Sequence, residues 1–368
     1  MAAAPLDGIT VVAIEQAVAA PFATVRLADA GARVIKIERP EGDFARGYDS
    51  AVNGQSSYFV WLNRGKESVA LDLATPEGKR RLTDLLATAD VVVQNLKPGA
   101  LARLGFDAER LARDYPRLIL ASISGYGEGG PMAERKAYDL LTQADSGLCS
   151  ITGGPESPAR VGISIVDIAT GATTYAAILE ALIRRGRTGR GANICVSMFD
   201  VIADWLTVPL LNHEGGKSPR RVGLSHPSIA PYGVFACKDG AQILISIQSD
   251  REWEKLAELF LGKPRLARDP RFATNVARVR NRVETDREVA AGFAFRTAAE
   301  AAAALLEADV AFAAVNDMEG LARHPHLRRI TVDTPNGPVS YPAPAPIFAG
   351  EERRYGAVPA LPKIKEAT

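Results

Sequence analysis

The sequence predicts an α/β fold in two parts, on three observations. Short β-rich runs alternate with helical apolar spacings through the first third of the chain, the pattern of β-α-β units and a mostly parallel sheet. At 368 residues the chain is too long for one typical core, so two domains are expected. From about Lys217 the texture changes to a proline-bearing loop, alternating strands and short helices, which reads as a smaller α+β domain.

The elements follow in order. Residues 9–14 form a buried-strand run, and 22–30 carry helical apolar spacing that ends at Gly31. Strands are expected at 33–38 and 68–73. Pro76 then starts a charged helix over 77–87. Strands at 91–93 and 118–122 follow, the latter just after Pro116. The glycine-rich stretch 125–131 marks a long loop. Helical pattern returns at 138–148 and 167–185, with a strand near 193–196. In the second part, strands at 233–236 and 242–247 precede helices at 252–261, 283–295 and 298–307. The prolines from Pro342 to Pro362 suggest an extended tail running back over the first domain. The expected division is 1–216, 217–330 and a tail over 331–368.

Composition narrows the function. Apolar residues at 47% and charged residues at 24% are ordinary globular values, and a net charge of +1 gives no attraction to nucleic acid or acidic membranes. The basic run 263–287 reads as a solvated helical face, without the interleaved aromatics of single-strand binders. Cys149, Cys195 and Cys237 are odd in number and lack C-x-x-C spacing, which points to a reducing compartment rather than disulfides or zinc. Residues 1–7 show no signal-peptide pattern and no apolar run reaches membrane-spanning length, so a cytoplasmic location is expected.

Several chemistries lack their residues. The loop after the first strand, 15–21, has no glycine, so the dinucleotide fingerprint is missing and a nicotinamide dehydrogenase is disfavoured. The 125–131 loop has no Gly-Lys-Ser/Thr ending, and no G-x-S-x-G elbow occurs. None of the four histidines has a helical i, i+4 partner, so no metal site is expected. Carboxylate chemistry remains, with Asp167 and Asp139 nearest to glycine-flanked loops. Asp167 sits at the mouth of an apolar helical run, where unpaired N–H groups favour the ionised form; the same position suits a plain N-cap. Arg39, Arg46, Lys97, Arg103 and Lys136 follow predicted strands, where α/β sheets bind ligands, and together could grip a polyanion such as a nucleotide-bearing thioester.

These pieces match a known pattern. The chain resembles the class III CoA-transferase family, which includes formyl-CoA and carnitine-CoA transferases and α-methylacyl-CoA racemase. The matching segments are 33–40 with Gly42, Asp43 and Arg46; 71–73; 95–99 with 103–106; 124–127 with 130–131; 136–139; Val166-Asp167 with Gly171; and Asp239-Gly240. The resemblance implies a Rossmann-like large domain, a small domain and two chains interlocked as a homodimer. It places Asp167 on the family's catalytic aspartate and Ala17, Val18 and Ala19 on its CoA-contacting first loop. Arg39, Leu73, Asn95, Leu96, Arg103, Leu104 and Lys136 fall on positions that hold CoA, and Tyr138 lies beside the reacting acyl group.

Val18 departs from oxalate-acting members, which carry glutamine there, and segment 224–232 replaces the tetraglycine lid of formyl-CoA transferases. The first loop and 226–232 look more like members acting on C4–C5 dicarboxylates such as succinate, mesaconate, malate, citramalate, itaconate or glutarate. Gln16, Arg46, Tyr138 and His226, with Arg220 and Arg221, are the candidates for holding that substrate. The resemblance thus implies a CoA-transferase working through an aspartyl anhydride and thioester on Asp167, with backbone N–H groups near Asp167 holding the oxyanions. Its substrates are a CoA thioester and a small carboxylic acid, with no permanently bound cofactor. The alternatives are a racemase-type isomerase and a non-catalytic CoA-binding protein. Against the racemase, the position of its histidine base is Tyr138, whose phenol is a poor base at neutral pH.

Overall fold

In the computed structural model, which describes residues 4–362, six parallel strands form one sheet in the order β3-β2-β1-β4-β5-β6. They are β1 Thr10–Ile14, β2 Arg33–Glu38, β3 Lys66–Ala70, β4 Val91–Gln94, β5 Ile119–Ser124 and β6 Ala192–Ser197. The middle strands read as near-continuous apolar runs because both faces are covered. The helices are α1 Ala19–Asp29, α2 Ser57–Leu62, α3 Pro76–Leu86, α4 Ala100–Arg103, α5 Ala108–Asp114, α6 Asp139–Asp145, α7 Leu148–Ile151, α8 Ile165–Thr188 and α9 Met198–Trp205. Strand order reverses between β1 and β4, so the loops at their carboxyl ends diverge and open a crevice.

The chain divides into two compact units. Among the described residues, one holds 4–149, 160–211 and 328–362; the other holds 150–159 and 212–327. The second unit has a three-stranded antiparallel sheet of β7 Tyr232–Ala236, β8 Gln242–Ser246 and β9 Ala311–Ala314. Its core gathers Trp253, Phe260, Phe272 and Phe293. Arg278, from the basic run read as a solvated face, is fully buried there. It pairs with Asp250 at 2.8 Å and donates to the carbonyls of Ala230 and Phe272.

Other differences have local causes. β3 begins two residues earlier than expected because its ladder with β2 starts at Val34–Lys66. The helix expected over 138–148 breaks at Gly147, whose φ of 88° no helix accommodates. The tail contains an unexpected hairpin, β10 Arg329–Val332 and β11 Val339–Pro342, within the first unit. By length and composition α8 could cross a membrane, contrary to expectation. Here Val166, Ala169 and Ile178 bury that apolar character in the core beside β5 and α1.

α8 meets α1 at Gly171. A Cβ there would lie 2.5 Å from the Ala19 carbonyl oxygen and 2.8 Å from Phe22 Cβ, so only glycine permits this approach. Gly171→Ala should therefore cost about 1–3 kcal/mol of overpacking, measured by urea denaturation. An unchanged unfolding midpoint would show that the helices separate freely.

Candidate active site

Loops 15–18 and 95–99 leave the carboxyl ends of β1 and β4 and border a cavity of about 640 Å³, which Asp167 also lines. The first loop is held without glycine. Ala17 adopts φ 63°, a left-handed conformation that costs an L-residue about 1–2 kcal/mol. Its N–H donates to Asp43 Oδ1 at 3.2 Å. Asn95 clamps its neighbour, accepting the Gln16 N–H at 3.0 Å and donating to the Gln16 carbonyl at 2.8 Å.

Beneath this loop lies a buried cluster of two acids and two lysines. Lys36 Nζ pairs with Asp43 at 2.8 Å and with Glu15 at 3.4 Å, while Lys66 Nζ reaches Glu15 at 2.6 Å. Thr24 donates to the other Glu15 oxygen at 2.6 Å. Burial pushes the Glu15 carboxyl up, but Lys66 and Lys36 outweigh it and hold the group below its usual value. Burial wins at Lys66, whose ammonium falls to about 8 despite Glu15.

Asp167 is not the N-cap of α8. The helix begins at Ile165 after Ser164, which makes no side-chain capping bond, and Asp167 is its third residue. The cap comes from Asp139, the first residue of α6. Asp139 Oδ1 accepts the N–H groups of Val166 at 2.8 Å and Asp167 at 3.3 Å, and its Oδ2 accepts from Gln143 Nε2 at 2.7 Å. Two expectations are corrected by this. The first amides of α8 serve Asp139, so they are not free to hold an oxyanion or to favour ionised Asp167. Burial, and then the Asp139 charge, push Asp167 up to about 7. Tyr48, also on the cavity wall, is pushed up to about 12 by burial and the nearby Asp43 and Asp167 carboxylates, so its phenol stays a donor.

Most of the candidate residues converge. Gln16, Ala17, Val18, Ala19, Asn95, Leu96, Lys136 and Tyr138 line the Asp167 cavity. Arg39, Leu73 and Leu104 line a second cavity of about 240 Å³ that shares Gln16 and Leu96 with the first. Arg103 lines neither; its guanidinium lies over Gly99. Arg46 does not stand ready for a substrate carboxylate. It donates to both oxygens of Glu38, at 2.7 and 2.8 Å, and stacks on Phe59 at 3.7 Å. His226 lies in the second unit, stacked on Tyr232, and Arg221 there donates to the carbonyls of Ser150, Gly154 and Pro155. Tyr48, Tyr58 and Arg160 line the Asp167 cavity without having been singled out in the sequence. Only the aromatic pair had a local signal, its proximity to the matched 42–46 segment.

Residues 6–367 match the model of CoA-transferase family III. An acetyl-CoA:oxalate CoA-transferase of Acetobacter aceti is 42% identical over 75% of this chain and 72% of its own. A succinate–glutarate CoA-transferase of Agrobacterium fabrum is 41% identical over 76% of this chain and 72% of its own. The crystal structure of a CAIB/BAIF family protein from Brucella suis superposes with TM-score 0.84 at 35% identity, covering 98% of this chain and 97% of that one. The chain belongs to CoA-transferase family III and is a CoA-transferase, an enzyme whose substrates are CoA thioesters.

The perturbed Asp167 carboxyl makes a stability prediction. A carboxyl raised on folding favours the native state below its unfolded value of 3.8, and that contribution is lost as pH rises through about 7. Asp167→Asn should therefore gain stability over the wild type between pH 4 and 7, levelling off above at about 4 kcal/mol. Chemical denaturation at pH 4, 6 and 8 reads this, and a difference independent of pH would contradict it.

Proposed function

We propose that this family III enzyme moves CoA between an acyl-CoA and a C4–C5 dicarboxylic acid through covalent intermediates on Asp167. The observation that carries the mechanism is the Asp167 carboxyl on the wall of a cavity that adjoins the one lined by Arg39, Leu73 and Leu104. A CoA nucleotide in the second cavity would put its thioester in the first. Asp167 then attacks the thioester carbonyl, forming a mixed anhydride and expelling CoA thiolate. The thiolate attacks the aspartyl carbonyl, releasing the first acid and leaving an enzyme thioester. The acceptor carboxylate attacks that thioester, again expelling thiolate and forming a second anhydride. The thiolate finally takes the acceptor's acyl group and frees Asp167. Each step exchanges one activated acyl for another, so no ATP is consumed.

The diacid assignment rests on the first-loop pattern and on the glutarate-acting relative. Oxalate is the second reading, favoured by the 42% identical relative that acts on it. Against it, Val18 is buried with Phe22, Val25 and Leu62 and offers no polar group to so short an acid. We further propose an interlocked homodimer working in the cytoplasm. Exposed Trp205, Val208 and Leu210, and the free cysteines, are in keeping with both.

Asp167→Ala should lower CoA transfer by on the order of a thousandfold or more, with hydroxylamine trapping an adduct at Asp167 only when acyl-CoA is present. Tyr138→Phe should be far milder. Exchange of the α-hydrogen with deuterated water, without adduct or acceptor dependence, would favour a racemase. Products from a panel of acyl-CoAs and diacids, read by mass spectrometry, test the substrate; oxalate as best acceptor with inert C4–C5 acids would overturn it. Sedimentation at nanomolar concentration tests the dimer, and an active monomer would refute it.

A further inference from the structure

A diacid that reacts through one carboxyl must place the other against a cation or a set of donors. Arg46, the expected cation nearest the first loop in sequence, is consumed by Glu38. The Asp167 cavity is lined by four cations, Lys97, Arg135, Lys136 and Arg160. Lys97 follows Leu96, which the two cavities share, and so stands where a CoA nucleotide would pass. Lys136 falls on a CoA-holding position of the family pattern. Arg135 faces Asp145 at 3.9 Å and the Tyr126 ring at 6.0 Å. Among the described residues, Arg160 alone of these cations has neither a carboxylate partner nor an expected role toward CoA. Its side chain makes one hydrogen bond among the described residues, from Nε to the Val161 carbonyl at 3.0 Å. Both terminal nitrogens are left to form a fork of the kind that carboxylates accept bidentately.

The backbone beside Arg160 is fixed to the same structure that fixes Asp167. Gln143 is fully buried, and its Oε1 accepts the Val161 N–H at 2.9 Å. Its Nε2 donates at 2.7 Å to Asp139, whose other oxygen caps α8 at Val166 and Asp167. One amide thus ties the peptide after Arg160 to the start of the helix that carries Asp167. Arg160 thus lines the cavity from a backbone whose next peptide is anchored.

We propose that Arg160 is the specificity-determining cation that receives the remote carboxylate of the diacid whose other carboxyl reacts at Asp167. This rests on the diacid reading above. The test compares acceptors of equal length, isotope-labelled succinate with butyrate and glutarate with valerate, at one fixed concentration of unlabelled succinyl-CoA, so that donor effects cancel in the ratio. For the wild type, kcat/KM should favour each diacid. In Arg160→Gln that diacid-to-monoacid ratio should fall about tenfold or more, the loss expected for a charge-assisted contact. Arg160→Lys should keep part of it, because a point charge remains without the fork. Thermal unfolding of both variants checks that the fold is intact, and the lysine variant carries the test if the glutamine one is unstable. A wild type that prefers diacids and an Arg160→Gln variant that keeps the preference would overturn the inference and spare the diacid reading. A wild type with no preference would remove both.

Discussion

The buried cluster of Glu15, Lys36, Lys66 and Asp43 is the constraint on which the site depends. Ligand-binding loops at the switch point of a doubly wound sheet commonly gain their close turn from glycine. This chain has none between residues 15 and 21. Its Ala17 is kept left-handed by a hydrogen bond to Asp43, and Asp43 is kept in place by Lys36. Burying four charges gives little net stability, because desolvation opposes the attraction. Removing one partner is another matter, since it strands an unpaired charge under the loop. The cluster is best understood as fixing a geometry, and the loop that lines the Asp167 cavity is what it fixes.

A second division of labour sets the charge in that cavity. Two carboxylates approach the start of α8, and there are too few amides for both. Asp139 takes the Val166 and Asp167 N–H groups and is backed by Gln143. Asp167 is left with burial and a like-charged neighbour, both of which resist its ionisation. The two acids share one site but not one role: Asp139 positions, and Asp167 remains uncommitted.

Much of this was legible in the sequence and the remainder has identifiable reasons. The sheet could be read because buried parallel strands are continuous apolar runs; Asp167 stood out only through the family pattern at Val166, Asp167 and Gly171, since a place near a helix start equally suits an N-cap. Its capping state could not be read, because the cap is a side chain 28 residues earlier. Arg46 was misplaced for a similar reason: its partner Glu38 sits at the end of the preceding strand, eight residues away. The hairpin of β10 and β11 did have a local signal, Asn336-Gly337, which the abundance of nearby prolines obscured. Arg160 had none. Its setting depends on Gln143, and nothing within a few residues of it predicts that bond.

On the aspartyl-nucleophile reading, the cost of burying Asp167 is also its activation. An ordinary aspartate near 3.8 is fully ionised at neutral pH but weakly basic, and nucleophilicity rises with basicity. Raised to about 7, the carboxyl remains substantially ionised at physiological pH while its lone pairs are held less tightly. Caps on α8 that served Asp167 directly would have lowered its basicity and stabilised the resting enzyme. By giving those amides to Asp139, the fold leaves Asp167 as a group that gains by acylation, because the anhydride and thioester forms are uncharged. Burial and the Asp139 charge disfavour only the ionised resting state, so the same environment that destabilises the free carboxylate favours the covalent forms that follow it.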